Sequence, residues 1–417
     1  MTSEVFSPLT GQERLGQVDV IRGLALLGVL LINVDSFSGA FWAAEAGLHY
    51  PMGWAGQILA WLRQALVENK AAALFSILFG TGLMIQFDRS RSQNRPFTAF
   101  ALRRFAVLAG IGLVHSFLLW NGDILLDYAL LGLIMLPFLR LRPSRVLWTI
   151  PLLLVLAVLI VVALQPLVAD WEQQPGWLYG QELRHYGQGS WLEALKFRGW
   201  EMVHVVGPLR LQNRLEFCGI FFILGIYFWK KGFFARPAEH KSQLRRLLLI
   251  CATLGLAANL VPQDWFFGLV NGLPIRPARI AIKMVFVLGK RTLPLAYMAG
   301  LLLLWCSPSW AKRLAFFAPL GRMALTQYLL QSVVCSLVFC GFGLGLYGKL
   351  PMNVCIMGAI AFFIGQAWLS RIWLRYYRMG PVEWLWRALS YRQRPPFRHP
   401  RPAIQHLHSP GAESGQG

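Results

Sequence analysis

The sequence predicts an all-α polytopic membrane protein with about ten transmembrane helices and both termini on the cytoplasmic side. Three observations carry that prediction. Hydrophobic residues make up 56% of the 417-residue chain and charged residues 14%, against roughly 25% charged in soluble domains; the mean hydropathy is +0.49. The apolar residues fall in long runs of the length a helix needs to cross a bilayer, without the alternation of a transmembrane β-barrel. The 40 Lys and Arg, which bring the net charge to +21, cluster in short segments between those runs, the positive-inside pattern. Charge so distributed sets topology and contacts anionic lipid, and it argues against nucleic acid as a partner.

The elements follow in order. Residues 1–19 form a cytoplasmic segment, and the lack of a compact basic n-region argues against a cleaved signal. Span one covers about 20–37, with Asp19 and Arg22 at its entry and Asn33 and Asp35 at its exit. Residues 38–69 carry Trp42, Trp54 and Trp61, suited to an interfacial belt and a surface helix. Span two, 71–87, contains Gly80 and Gly82, which allow close helix approach. Arg89, Arg91, Arg95, Arg103 and Arg104 then mark a cytoplasmic segment. Spans three and four, 105–120 and 123–139, form a hairpin about the Asn121-Gly122 turn, and span five covers 146–168. The longest polar loop, 169–212, holds Trp171, Trp177, Trp191 and Trp200. Spans six and seven, 213–229 and 247–261, flank a second basic cluster beginning at Lys230. Pro262, Pro274 and Pro277 interrupt the next region, so span eight, 293–306, starts earlier as a kinked or interfacial helix. Spans nine and ten cover 318–341 and 353–370. Residues 20–391 make one transmembrane domain, and 392–417 a basic, proline-rich, disordered tail. The six cysteines lie in apolar runs without a CxxC pair and read as small buried hydrophobes.

Chemistry is sought where ionisable groups interrupt apolar spans, since each costs several kcal/mol unless paired or wetted. The hairpin carries His115, Asp123 and Asp127. With the turn centred between Asn121 and Gly122, His115 lies about 9 Å below it, level with Tyr128 and beside Asp127. Asp127 is then placed to orient His115 as a catalytic base. Asp123 sits at the mouth, where an N-cap of span four is as good a reading as catalysis. Asn33, Asp35, Arg214 and Glu216, at the outer ends of spans one and six, are the substrate-binding candidates. At the inner face Asp19 and Arg22 lie one turn apart and either pair or meet an anionic donor. Gly321-Arg-Met-Ala-Leu-Thr-Gln-Tyr328 adds Arg322 and Gln327 to that donor set. No Walker A, GxSxG, HExxH or paired CxxC motif appears, so no metal and no bound cofactor is expected.

Four motifs carry a family resemblance. Val18-Asp-Val-Ile-Arg-Gly-Leu-Ala-Leu-Leu-Gly28 with Asn33, His115 with Trp120-Asn-Gly-Asp-Ile-Leu125, Gly321 to Tyr328, and Gly380-Pro-Val-Glu-Trp-Leu-Trp-Arg387 resemble, in that order, the bacterial YeiB-like inner-membrane family, across residues 14–391. The family's activity is not established. The Asp-x-x-Arg-Gly opening is also similar to the wider transmembrane acyltransferase group, which includes sugar O-acyltransferases and the lysosomal heparan-glucosaminide acetyltransferase. That resemblance implies an acyl-CoA-type cosubstrate, transfer across the membrane and a histidine base. The sugar O-acyltransferases tend to have a histidine where this chain has Asn33, so only the role of base carries over, onto His115. Three functions fit: acyl transfer to a small-molecule or glycan acceptor, transport through intramembrane His, Asp and Glu, or a scaffold without chemistry. The bilayer is the expected partner, and homo-oligomerisation is left open.

Overall fold

Each predicted span is helical in the computed structural model, which describes residues 14–39, 43, 47–48, 53–168 and 175–399. At 161, 164–168, 175, 205–216 and 264 only the backbone is described. The helices that matter here are α1 (Gly16–Ser38), α2 (Trp54–Leu66), α3 (Lys70–Ser92), α4 (Phe97–Leu118), α5 (Leu125–Met135), α6 (Thr149–Val168), α7 (Trp191–Glu201), α8 (Gly207–Lys230), α9 (Lys241–Leu260), α10 (Arg276–Lys290), α11 (Leu293–Trp305), α12 (Ala318–Arg322), α13 (Ala324–Phe339), α14 (Met352–Tyr376) and α15 (Pro381–Tyr391). Among the described residues there is no strand, only an isolated bridge between Tyr377 and Arg398.

Among the described residues, seven helices are long and apolar enough to cross a bilayer, or eight if the bent pair Pro308–Arg322 and Ala324–Phe339 is one span. The count falls short of ten because two of the predicted spans are short. α5 is about 16 Å long at 1.5 Å per residue, and continues only as the tighter 3-10 turn Leu136–Arg140. The apolar part of α8 is Phe217–Lys230. Both pack inside the bundle, α8 against α3 and α6 and α5 against α4.

Central to the bundle is α1, in contact with α3, α12, α13 and α14. Its approach to α12 is possible only through glycine: a Cβ on Gly23 would overlap the Phe317 carbonyl, and one on Gly321 the Asp19 carbonyl. The expected close crossing at Gly80 is with α8, where Gly80 meets the Phe222 backbone and Gly225 the Ile77 backbone. A Cβ on Gly82 would meet nothing within 4 Å, so Gly82, contrary to expectation, takes no part in that crossing.

The surface helix expected within 38–69 is present, and the loop expected over 169–212 is largely helical where it is described. α2 is helical, with Trp54, Ile58 and Trp61 exposed along one face as an interfacial helix requires. Trp42 and Trp171 lie outside the described residues. Residues 175–201 are mostly helical, and Ser190 and Glu193 form a capping box at the start of α7. The tail boundary also moves. Arg378 N–H donates to Phe397 O at 2.8 Å and Trp384 Nε1 to Pro395 O at 2.9 Å, so the packed chain extends to His399.

Candidate functional site

The hairpin turns through the whole stretch 119–124, since α4 ends at Leu118 and α5 starts at Leu125. The N–H groups of Leu119 and Trp120 both return to the His115 carbonyl, at 3.0 and 2.9 Å. This wide turn brings Asp123, not Asp127, to the level of the imidazole. His115 Nδ1 lies 2.8 Å from Asp123 Oδ1, and Asp123 Oδ2 accepts from Leu126 N–H at 2.9 Å. One carboxylate therefore orients the histidine and caps α5 together. The expectation that Asp127 is the orienter is corrected: it sits one turn further along α5 and is half-buried.

The other imidazole nitrogen has a partner the sequence did not suggest. Nε2 lies 2.8 Å from Ser332 Oγ of α13. A carboxylate only accepts, so Nδ1 carries the hydrogen; in the neutral imidazole Nε2 is then the acceptor for the Ser332 hydroxyl. His115, Asp123 and Ser332 are each 1% exposed. The Tyr328 ring packs over the imidazole, with centroids 5.1 Å apart.

Two cavities flank this group. One, of about 190 Å³, is walled by five arginines (Arg14, Arg22, Arg104, Arg322 and Arg387) with Glu383 as the acid, and by apolar groups including Phe75, Phe79, Phe105 and Leu108. The second, about 780 Å³, has a mixed polar wall with Asn33, Gln64, Glu68, Lys70, Asn259, Gln263, Lys290 and Arg291. Val29, Ile124 and Tyr328 line both. His115 lines neither; its ring centroid lies 5.1 Å from that of Tyr328, which lines both.

The basic cavity gathers residues of all four motifs, Ile124 and Leu125 of the hairpin among them. Asp19 Oδ1 pairs with Arg22 Nη1 at 3.2 Å, which also approaches the Gly321 carbonyl at 3.4 Å. Arg322 Nη2 donates to Arg378 O at 3.1 Å, and its Nε is buried without a hydrogen-bond partner. Arg104 stacks 3.6 Å from the Trp386 ring. Gln327 does not belong to this cavity. Its Nε2 donates to Ser370 Oγ at 2.8 Å and its Oε1 accepts from Gln366 at 2.8 Å, so it ties α13 to α14. Its position in the helix turn after Arg322 suggested the donor face, but the break at Met323 rotates it away.

That break has a specific support. The chain bends 71° there, which frees the first N–H groups of α13. Glu383 of α15 takes them: Oε1 accepts from Leu325 N–H at 2.7 Å and Thr326 N–H at 3.0 Å, and Oε2 from the Thr326 hydroxyl. Burial pushes the Glu383 carboxyl above its ordinary range, opposed by these hydrogen bonds from Thr326 and Leu325. Glu383→Ala leaves two buried N–H groups unmet and should destabilise the protein by about 2–4 kcal/mol. Glu383→Gln should lose about half of that, as read by thermal unfolding in detergent.

Of the substrate-binding candidates, Asn33 lines the larger cavity. Asp35 instead pairs with Arg63 at 2.6 Å, joining α1 to α2. The side chains of Arg214 and Glu216 lie outside the described residues. A second buried polar group, unmarked in the sequence, covers the hairpin turn. Arg198 donates to Phe117 O at 3.0 Å, Asn121 to Glu201, Tyr186 to Glu201 at 2.6 Å, and Tyr347 to Glu182. Burial, and next the carboxylates Glu201 and Glu182, push the Tyr186 and Tyr347 phenols well above their ordinary values. They stay protonated donors and hold the carboxylates in place.

Residues 228–393 match the family model described as a protein of unknown function (DUF418). The chain is 30% identical over 403 residues to the uncharacterized protein YeiB of Escherichia coli (strain K12), covering 91% of this chain and 97% of that one. It is 29% identical over 400 residues to the uncharacterized protein YxaH of Bacillus subtilis (strain 168), covering 92% and 96%. It is 27% identical over 401 residues to an uncharacterized 39.9 kDa protein in the amylase 3' region of Bacillus acidopullulyticus, covering 94% and 97%. No solved structure matches.

Proposed function

This chain belongs to the YeiB-like family, and on that premise we propose that it moves an acyl group from a cytoplasmic acyl-CoA-type donor to an acceptor across a bacterial inner membrane. The observation that carries the reading is that the basic and the polar cavity share the wall residues Val29, Ile124 and Tyr328, the last of which packs against His115. Five guanidinium groups next to an apolar wall suit a ligand with phosphates and an aliphatic part. The basic end then faces the cytoplasm, with both termini inside. The larger cavity, with amides, a carboxylate and ammonium groups, suits a glycan or other small molecule bearing a hydroxyl or amine.

His115 acts as general base through Nε2, and Asp123 holds the tautomer and stabilises the imidazolium that forms. Arg22 and Arg322 bind the donor's phosphates. The test is release of free thiol from acetyl-CoA and palmitoyl-CoA by the protein in proteoliposomes supplied with envelope glycans and lipids. His115→Gln should lower that release 10²- to 10⁴-fold, roughly the range for general base catalysis. Release that is undiminished in this variant overturns the reading.

A transporter is the second reading, because a thin wall between two cavities is also the geometry of an occluding gate. Solute uptake into the same proteoliposomes without donor consumption, made leaky by Tyr328→Ala, would favour it.

A further inference from the structure

The hydroxyl of Ser332 has no assigned task so far, and its setting differs from that of two other buried serines on helices, Ser76 and Ser390. Ser76 and Ser390 satisfy themselves on the carbonyl four residues back, at 2.8 and 2.6 Å. For Ser332 that carbonyl, Tyr328 O, is 3.5 Å away, while His115 Nε2 is 2.8 Å away. With the imidazole neutral and its hydrogen on Nδ1 toward Asp123, the nearer acceptor for the hydroxyl is Nε2 and not Tyr328 O. With Asp123 Oδ1 2.8 Å from Nδ1 on the far side, the three form a carboxylate–imidazole–hydroxyl chain. They come from the α4–α5 turn, α4 and α13, with 217 residues between His115 and Ser332. A structural serine needs only one local acceptor; a hydroxyl aligned on an acid-held imidazole is an activated nucleophile. Ser332 also lies one helical turn beyond Tyr328, one of the three residues that line both cavities.

We propose that Ser332 is the covalent acyl carrier of this protein, an inference that rests on the acyl-transfer reading. Ser332 Oγ attacks the carbonyl carbon of an acyl thioester in the basic cavity as its proton passes to His115 Nε2. The C–S bond breaks, and the leaving thiolate takes that proton and departs as free thiol. An acceptor hydroxyl or amine in the polar cavity then attacks the ester and gives its proton to Nε2. The C–Oγ bond breaks, and Nε2 returns the proton to Ser332. Atoms and charge balance without an oxidant or a metal. Neither cavity reaches the pair in the resting state, and Tyr328, which lines both and packs against His115, is the ring that must move in each half-reaction. Donor and acceptor need never share one space, which fits two cavities divided by one wall.

The test uses the full-length protein in proteoliposomes with deuterated acetyl-CoA and palmitoyl-CoA and no acceptor, quenched in acid and mapped by peptide mass. The expected result is an alkali-labile acyl adduct on the peptide carrying Ser332, absent from Ser332→Ala and from His115→Gln. Transfer by Ser332→Ala should drop at least 10³-fold. Ser332→Cys should carry a thioester that neutral hydroxylamine removes, and this variant decides the matter if Ser332→Ala does not fold. The proposal is overturned if Ser332→Ala or Ser332→Cys transfers normally without an adduct while His115→Gln is inactive. Direct transfer with His115 as base then stands. If the wild-type protein releases no thiol from either thioester, acyl transfer itself fails, and the carrier role with it.

Discussion

Asp123→Asn should leave a folded protein whose acyl transfer falls by roughly 10³- to 10⁴-fold, the loss that a tautomer swap causes in serine proteases. The structure forces that swap. Asp123 Oδ2 accepts from Leu126 N–H at 2.9 Å, so the amide oxygen of an asparagine must take that position to keep the cap. Its NH₂ then faces His115 Nδ1, which must give up its hydrogen to accept. Nε2 becomes the protonated nitrogen and can no longer take a proton from Ser332. Folding should change little, because the cap survives. Asp123→Ala removes both contacts and should also cost about 1 kcal/mol of helix capping. Thiol release from acyl-CoA, measured beside thermal unfolding, separates the two. An Asp123→Asn protein that transfers within tenfold of wild type would show that the carboxylate only caps α5.

Gly321→Ala should be among the most damaging single-methyl changes in the chain. A Cβ at Gly321 would overlap the carbonyl oxygen, carbon and Cα of Asp19, all backbone. No side chain can move aside, so α12 must lift from α1. The same crossing is pinned from the other side by Gly23 against Phe317 O. The expected cost is about 3 kcal/mol or more, at the upper end for overpacking. Because Arg22 and Arg322 face one cavity across this contact, donor affinity should fall as well. Gly358→Ala in α14 meets nothing within 4 Å and is the control, expected to be neutral or slightly stabilising. Equal unfolding temperatures for Gly321→Ala and Gly358→Ala would refute the close crossing.

The helical spans were legible in the sequence because hydropathy is a local property. Val20 to Phe37 is apolar whatever it packs against, and α1 covers it. Length misled where a run was apolar but short of a crossing, as at α5, because burial against protein and burial in lipid demand the same residue types. Indole-rich polar stretches misled in the opposite sense. Residues 175–201 read as loop, yet Glu182, Arg198 and Glu201 are buried, because each finds a partner on a distant segment.

What the sequence determined by itself is the class of protein, all-α and multi-pass, and the importance of the hairpin. An ionisable residue in an apolar run is costly wherever the chain takes it, and His115 could be singled out on that ground alone. What only the tertiary structure decided is who meets whom. Asp123 replaced Asp127 as the orienter because the turn spans 119–124, and turn width is not written in hydropathy. Ser332 was unreadable because one serine in an apolar helix looks like any other until a helix 217 residues away is laid against it. Gln327 left the donor site because the chain bends at Met323. Arg14, Arg104 and Arg387 joined Arg22 and Arg322 because α1, α4, α12 and α15 converge. Contacts of that kind are set by packing between distant segments, and only the folded chain specifies them.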